Sequence, residues 1–352
     1  MAGNAVEKRM SDKLVSVVIN NYNYGRYVCS AIDSALQQSY EPVEIVVVDD
    51  GSKDNSRALI ERYGRRIKAV FKDNGGQASA YNAGFAACRG HIVLFLDADD
   101  ILHRDAVRHA VAAFADDRVA KVQFRLEIVD DEGKGSGIHI PAGRMPNGDV
   151  LGMLLKYGSY GSPPASGNVY RRRVLTPVLP MPESTWRIAA DSVPALAAPF
   201  FGDVVSIDRV LGCYRVHNSG AAKRASAAAR PGNSESLCDK VEAFLKSERY
   251  LDELCARHGK RMGPNIIERN PSMLKTMLCF KISEPDHALN RGYGVAGLAV
   301  AGADASLKYP LYSAFPKLAM ALWFLLVAAC PPVRKMLIPW GLQPWLRGVK
   351  LS

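Results

Sequence analysis

Asp97, Asp99 and Asp100 stand within four residues, directly after the strand-like run Ile92-Val93-Leu94-Phe95-Leu96. Carboxylates this close repel one another, and a cation or a hydrogen-bonding ligand offsets that repulsion. Magnesium and manganese bind carboxylate oxygens while keeping positions open for substrate phosphates, so the chemistry this cluster suits is metal-assisted handling of a phosphorylated compound. Acids that cap a helix or form a turn after a strand are the plainer alternative. Three further polar clusters follow short apolar runs: Asn20-Asn21-Tyr22-Asn23-Tyr24-Gly25, Asp49-Asp50-Gly51-Ser52 and Asn74-Gly75-Gly76.

The elements that would carry these clusters alternate. Leu14 to Ile19, Val43 to Val48, Ile67 to Phe71 and His91 to Leu96 are short, β-branched or aliphatic runs that predict buried strands. Arg26 to Gln38, Asn55 to Tyr63 and Gln77 to Cys88 predict helices, ended by turn residues, Pro42 and Gly90. Strands alternating with helices at this spacing predict an α/β fold with a doubly wound, mostly parallel sheet. Ligands bind such sheets at the carboxyl ends of the strands, where all four polar clusters fall. There is no Gly-X-Gly-X-X-Gly after the first strand and no Gly-Lys-Ser/Thr loop, which disfavours a dinucleotide enzyme and a phosphate-loop NTPase.

With 352 residues, 48% of them hydrophobic, the chain is long enough for one large domain or two smaller ones. A formal net charge of +10 implies an anionic partner: nucleic acid, a phosphorylated substrate or an anionic membrane face. Seven scattered cysteines without a Cys-X-X-Cys pair argue against a disulfide framework or zinc site and fit a reducing cytoplasm. Met1 to Lys13 is a polar tail without the apolar core of a signal peptide. Leu318 to Val333 is a sixteen-residue stretch without charge, flanked by Lys317, Arg334 and Lys335 and near Trp323, Trp340 and Trp345. It is shorter than the ~20 residues a spanning helix needs and suits a segment lying in or dipping into a cytoplasmic leaflet. A buried core helix is the alternative.

Taken in order and spacing, Val17-Val18-Ile19-Asn20-Asn21-Tyr22-Asn23, Val47-Val48-Asp49-Asp50-Gly51-Ser52, Asn74-Gly75-Gly76 with Asn82-Ala83-Gly84, and Leu96-Asp97-Ala98-Asp99-Asp100 resemble the nucleotide-sugar half of family 2 glycosyltransferases of the GT-A fold. Ser166-Gly167-Asn168-Val169-Tyr170-Arg171 and Ala190-Asp191-Ser192 are similar to its acceptor-side segments, and Tyr214-Arg215-Val216-His217-Asn218 to the segment closing over the donor. The resemblance covers residues 14 to about 220. It implies a Rossmann-like GT-A domain over 14–220, with a donor half at 14–110 and an acceptor half at 111–220. Outside the resemblance, the Ala-, Ser-, Arg-, Pro- and Gly-rich run at 221–234 predicts a flexible connection, and apolar patterning predicts a helical C-terminal region over 235–352.

The resemblance also implies roles. Asp99 matches the metal-binding carboxylate and Asp97 the one that meets ribose or metal, with His217 available to complete the metal shell. Asp49 matches the aspartate that accepts a hydrogen bond from the base, Tyr22 the aromatic lying against it, and Asn21 belongs to the same nucleotide-binding loop. Asp191 matches the base that deprotonates the acceptor. Ala190 stands where the family often carries a first acid, leaving one carboxylate for that task; helix capping is the other reading of Asp191. Tyr81 replaces an expected arginine, and Arg215 or Arg171 are candidates to substitute for it. Arg171-Arg172-Arg173 reads as an exposed basic edge or an acceptor contact.

The function these readings imply is an inverting, manganese- or magnesium-dependent transfer of one sugar, from a UDP-sugar in the first place, to an acceptor hydroxyl. A lipid-linked saccharide at the cytoplasmic membrane face, in polysaccharide or glycolipid assembly and without nucleic acid, is the expected acceptor. Processive synthases are disfavoured by the lack of several spanning segments and of a Gln-X-X-Arg-Trp motif. The alternatives are a sugar-phosphate nucleotidylyltransferase, which would want a glycine- and arginine-rich loop after the first strand, and a non-catalytic nucleotide-binding membrane adaptor.

Overall fold

The computed structural model describes residues 13–216, 234–263, 266–290, 292–334 and 337–338. The first hundred residues alternate as β1 (Val15–Asn21), α1 (Gly25–Leu36), β2 (Val43–Asp49), α2 (Ser56–Glu61), β3 (Lys68–Phe71), α3 (Gln77–Ala87) and β4 (Ile92–Asp97). These lie within one or two residues of the predicted bounds, the usual uncertainty of element ends. They are followed by β5 (Ile101–Leu102), α4 (Ala106–Ala113), β6 (Val119–Val129), β7 (Gly135–Ile140), α5 (Leu151–Tyr157), β8 (Asn168–Arg171), α6 (Arg172–Leu175), α7 (Ser192–Ala197) and β9 (Asp203–Arg215). Among the described residues the C-terminal part holds α8 (Ser234–Arg257), α9 (Ile266–Arg269), α10 (Pro271–Ser283), α11 (Val295–Lys308) and α12 (Ala314–Ala329).

The nine strands among the described residues form one sheet in the order β3-β2-β1-β4-β8-β6-β9-β5, with β7 pairing β6. β3, β2, β1 and β4 run parallel, and the intervening helices supply the crossovers that parallel pairing requires. β8 joins antiparallel between β4 and β6, and β6 and β9 are parallel to each other.

The two faces of this sheet differ, because alternate residues point to opposite sides. One face is apolar: Val17, Ile19, Val47, Leu94 and Leu96 pack with Val28 and Ile32 of α1. On the other, Val18, Val48 and Phe95 receive α3. A Cβ on Gly84 of that helix would lie 2.3 Å from Val18 Cγ1, and the Tyr81 ring stacks on Phe95 at 4.1 Å. By the same alternation that second face also carries Asn20, Asp97, Lys121, Gln123 and Asn168.

The chain divides into two compact units. The first comprises Met1–Pro141, Pro146–Val150 and Ser162–Arg215, and the second Ala142–Met145, Leu151–Gly161 and Val216–Ser352. In the second unit Leu237, Met277, Phe280, Leu298, Trp323 and Phe324 form the core. Gly302 permits the close approach of α11 to α12, since a Cβ there would meet the Phe324 ring at 2.1 Å. Asn270 caps α10, its Oδ1 accepting the Ser272 and Met273 N–H groups at 3.0 and 3.1 Å. Among the described residues no helix is long and apolar enough to cross a membrane.

Candidate functional site

Register brings the polar strand ends together: Asn20 pairs Asp97 and Asn21 pairs Asp49 across β1. Asp49 is buried. Its Oδ1 accepts the Ser52 N–H at 2.7 Å and its Oδ2 accepts Asn21 Nδ2 at 3.0 Å. Asn21 Nδ2 also reaches Ser52 Oγ at 3.1 Å, so its amide nitrogen shapes the loop, while its Oδ1 is buried without a partner. Tyr22 lies outside this knot with 42% of its surface exposed. Both polar atoms of the Asn20 amide are buried and unpartnered beside Asp97.

Asp50 does more than form a turn. Its carboxylate gathers Lys72 Nζ at 2.8 Å, Asn74 Nδ2 at 3.1 Å, and the N–H groups of Gly75 and Gly76 at 3.0 and 2.7 Å. The glycine loop is thereby folded onto the end of β2. Gly76 has φ +87°, and a Cβ there would meet Arg187 Cγ at 2.4 Å, so glycine is required for the approach of the Trp186 to Ala190 loop.

That loop sits on the start of α3. Gln77 N–H donates to Arg187 O at 2.9 Å, Ala78 N–H to Trp186 O at 3.2 Å, and Ala190 N–H to Gln77 Oε1 at 2.9 Å. The first N–H groups of α3 are therefore satisfied by protein. Ala189 takes φ +62°, and Asp191 follows as the residue preceding α7. It holds the N-cap position of that helix, without a side-chain capping hydrogen bond.

Burial pushes the Asp97 carboxyl well above the usual range, and the charges of Asp99 and Asp191 add to the rise. Burial likewise raises Asp100, reinforced by Asp99 and Asp97 and opposed by hydrogen bonds from Ser166 Oγ at 2.6 Å and the Arg215 N–H at 2.9 Å. The buried Tyr81 phenol is raised by burial and by both Asp97 and Asp191, and Tyr24 and Tyr214 are raised by burial and by the same aspartates at the end of β4. Asp191 thus shares the electrostatic neighbourhood of the β4 carboxylates. Lys121 belongs to it too. Fully buried on β6, its Nζ donates to Gln123 Oε1 at 2.9 Å and Ser162 Oγ at 2.7 Å; burial pulls its pKa far down, and Asp191 opposes the fall.

Asp97 and Asp99 supply hard oxygen donors where carboxylate crowding favours a divalent cation, which fits the expected metal. Among the described residues no three His, Cys, Asp or Glu side chains converge as a closed metal site, so substrate oxygens would have to complete the shell. His217 lies outside the described residues.

The arginines are used by the fold. Arg215 donates to the carbonyls of Asp99, Asp130 and Asp131 at 2.9 to 3.0 Å. Arg171 binds the carbonyls of Phe114, Asp116 and Val119, Arg172 those of Cys88 and Gly90, and Arg173 those of Asp117 and Phe201. These contacts brace the backbone; Arg171 and Arg172 are half-buried, and Arg173 is exposed.

Lys121 and Gln77 carry no role in the sequence reading, and Ser166 appears there only as part of an acceptor-side segment. Polar residues at 121 and 123 within Val119-Ala120-Lys121-Val122-Gln123-Phe124 carry a period-two signal that marks a polar sheet face. For Gln77 no local signal exists, because its partner lies 113 residues away.

The model of the glycosyl transferase family 2 matches residues 16–178. An uncharacterized glycosyltransferase of Nostoc sp. is 38% identical over 251 residues, 70% of this chain and 76% of that one. Another from Rickettsia prowazekii is 34% identical over 129 residues, 36% of this chain and 41% of its own length. Among solved structures, Staphylococcus aureus TarS 1–349 in complex with UDP-GlcNAc superposes with a TM-score of 0.49 at 18% identity, over 89% of this chain and 90% of that one.

Proposed function

The chain belongs to glycosyl transferase family 2, with the α/β sheet of the GT-A fold, and on that premise we propose that it transfers a single sugar with inversion from a UDP-sugar to an acceptor hydroxyl. The observation that carries the mechanism is the placement of Asp191: it follows the loop that Gln77 pins through the Ala190 N–H at 2.9 Å, at the start of α7, and its charge adds to the rise of Asp97 at the carboxyl end of the sheet.

In this reading Asp49 accepts the N3–H of uracil through the lone pairs left by Ser52 and Asn21, with Asn21 holding it in place and Tyr22 covering the base. Stacking of that kind contributes roughly 1–3 kcal/mol in single-strand nucleic-acid sites. Asp97 and Asp99 face the ribose and diphosphate and would hold manganese or magnesium, with His217 as a further ligand. A cation bound there supplies neutralisation of the charge that develops on the departing diphosphate. Asp191 takes the proton of the acceptor hydroxyl, whose oxygen forms the new bond to the anomeric carbon as the bond to UDP breaks on the opposite face. One carboxylate suffices for such a displacement.

The acceptor in this proposal is a saccharide carried on lipid, as in polysaccharide or glycolipid assembly, met at the cytoplasmic face of a membrane. The net charge of +10 and the uncharged C-terminal stretch support that location, and free cysteines throughout fit a reducing compartment.

Asp191→Asn tests the assignment. It should lower turnover by 100-fold or more, the order a general base contributes, while UDP binding measured by calorimetry stays within about twofold of wild type. Unchanged turnover in that variant would remove Asp191 from the role.

A further inference from the structure

α12 presents two apolar faces. Ala321, Phe324 and Val327 are buried in the helical core with Trp323, whereas Phe315, Leu318, Leu322, Leu325 and Leu326 are 41 to 64% exposed. At 100° per residue these five project within an arc of about 100°, an apolar stripe as wide as one that faces a core. Single exposed apolar side chains need no explanation, but five on one helix face do. At 16 residues α12 is about 24 Å long, short of the ~30 Å hydrocarbon layer, so the stripe suits a helix lying along an interface.

Charge says which surface that is. After Asp304 the remaining 48 residues contain no Asp or Glu and six cations, Lys308, Lys317, Arg334, Lys335, Arg347 and Lys350. Arg334 is fixed at the carboxyl end of α12, its guanidinium donating to Val327 O at 2.8 Å and Ala328 O at 2.9 Å. An apolar stripe in a segment of wholly positive charge matches an anionic lipid leaflet, in which the leucines enter the acyl boundary and the cations meet the headgroups.

We infer that the Phe315–Leu318–Leu322–Leu325–Leu326 face of α12 is the docking surface by which the full chain binds anionic membranes in the plane of the leaflet. The inference deepens the membrane-borne acceptor of the proposed function and rests on that reading for its purpose, but its test needs no sugar donor.

Sedimentation of the full chain with phosphatidylcholine vesicles, with and without phosphatidylglycerol, is the experiment. Wild type should bind the anionic vesicles, more weakly as salt is raised, and Leu318→Glu/Leu325→Glu should bind at least tenfold less. The milder Leu322→Ser should give a partial loss with an unchanged melting temperature, which separates lost docking from lost folding. UDP binding should be equal in all three proteins, so that failure here and failure of the donor site are told apart. Equal vesicle binding by wild type and the double variant would overturn the inference. So would a wild-type dimer in light scattering that the double variant converts to monomer without any vesicle binding, since the occupant would then be a second copy of the chain.

Discussion

Asp97 and Asp100 are held above the usual carboxylate range, and the sign of the consequence is fixed. A carboxyl whose pKa is higher folded than unfolded contributes stability that is full below the unfolded value, near 3.9, and is lost as pH rises through the folded one. The metal-free protein should therefore lose stability from this source across pH values above the ordinary carboxylate range, and Asp97→Asn should melt higher than wild type at pH 7.5. An unchanged slope of melting temperature against pH in Asp97→Asn would refute the electrostatic account. Gln77 offers a second residue-scale test, because its Oε1 holds the Ala190 N–H next to Asp191. Gln77→Ala should reduce kcat by roughly ten- to a hundredfold with little change in the donor KM, the effect of a misplaced reacting group. Gln77→Glu, which keeps an acceptor oxygen, should restore most of it; equal losses in both would deny the positioning role. The carboxylates at strand ends were legible because their clustering is local in sequence. Gln77, and the use of Asp50 as anchor for Gly75 and Gly76, depended on partners that only the folded chain brings near.

The alternating strands and helices of the first hundred residues follow from their apolar runs and turn residues, so the parallel part of the sheet was readable with its ends. The antiparallel insertion of β8 between β4 and β6 was not, because a four-residue strand such as Asn168–Arg171 has no period long enough to recognise. Lys121 and Gln123 show the same limit. Their alternation is visible, but that their face is buried and polar rather than solvated appears only once β6 lies in the middle of the sheet. Packing of α3 supplies an element-scale prediction. Gly84→Ala gains about 1 kcal/mol of helix propensity, yet its Cβ would stand 2.3 Å from Val18 Cγ1 and 3.2 Å from Val48 Cγ2. Overpacking of this kind costs typically 1–3 kcal/mol, so the variant should be less stable in urea unfolding. A gain in stability would mean that α3 shifts freely on the sheet.

For the chain as a whole, the alternation of apolar runs gave the class of fold, and the order of motifs gave the family. The division into units was less legible: Ala142–Met145 and Leu151–Gly161 fall in the second unit although they lie inside the first in sequence, and no composition change marks them. In the proposed function the carboxylates closing β2 and β4 make a metal-assisted site for UDP. Thermal unfolding of the whole protein with UDP, GDP, dTDP and CDP, each with and without manganese, tests it most directly. A ligand at 100 times its Kd adds about 2.7 kcal/mol of stability. Stabilisation by UDP that requires manganese and disappears in Asp99→Asn is the predicted result, whereas no shift with any nucleotide, or a UDP shift indifferent to manganese and to Asp99, would contradict it.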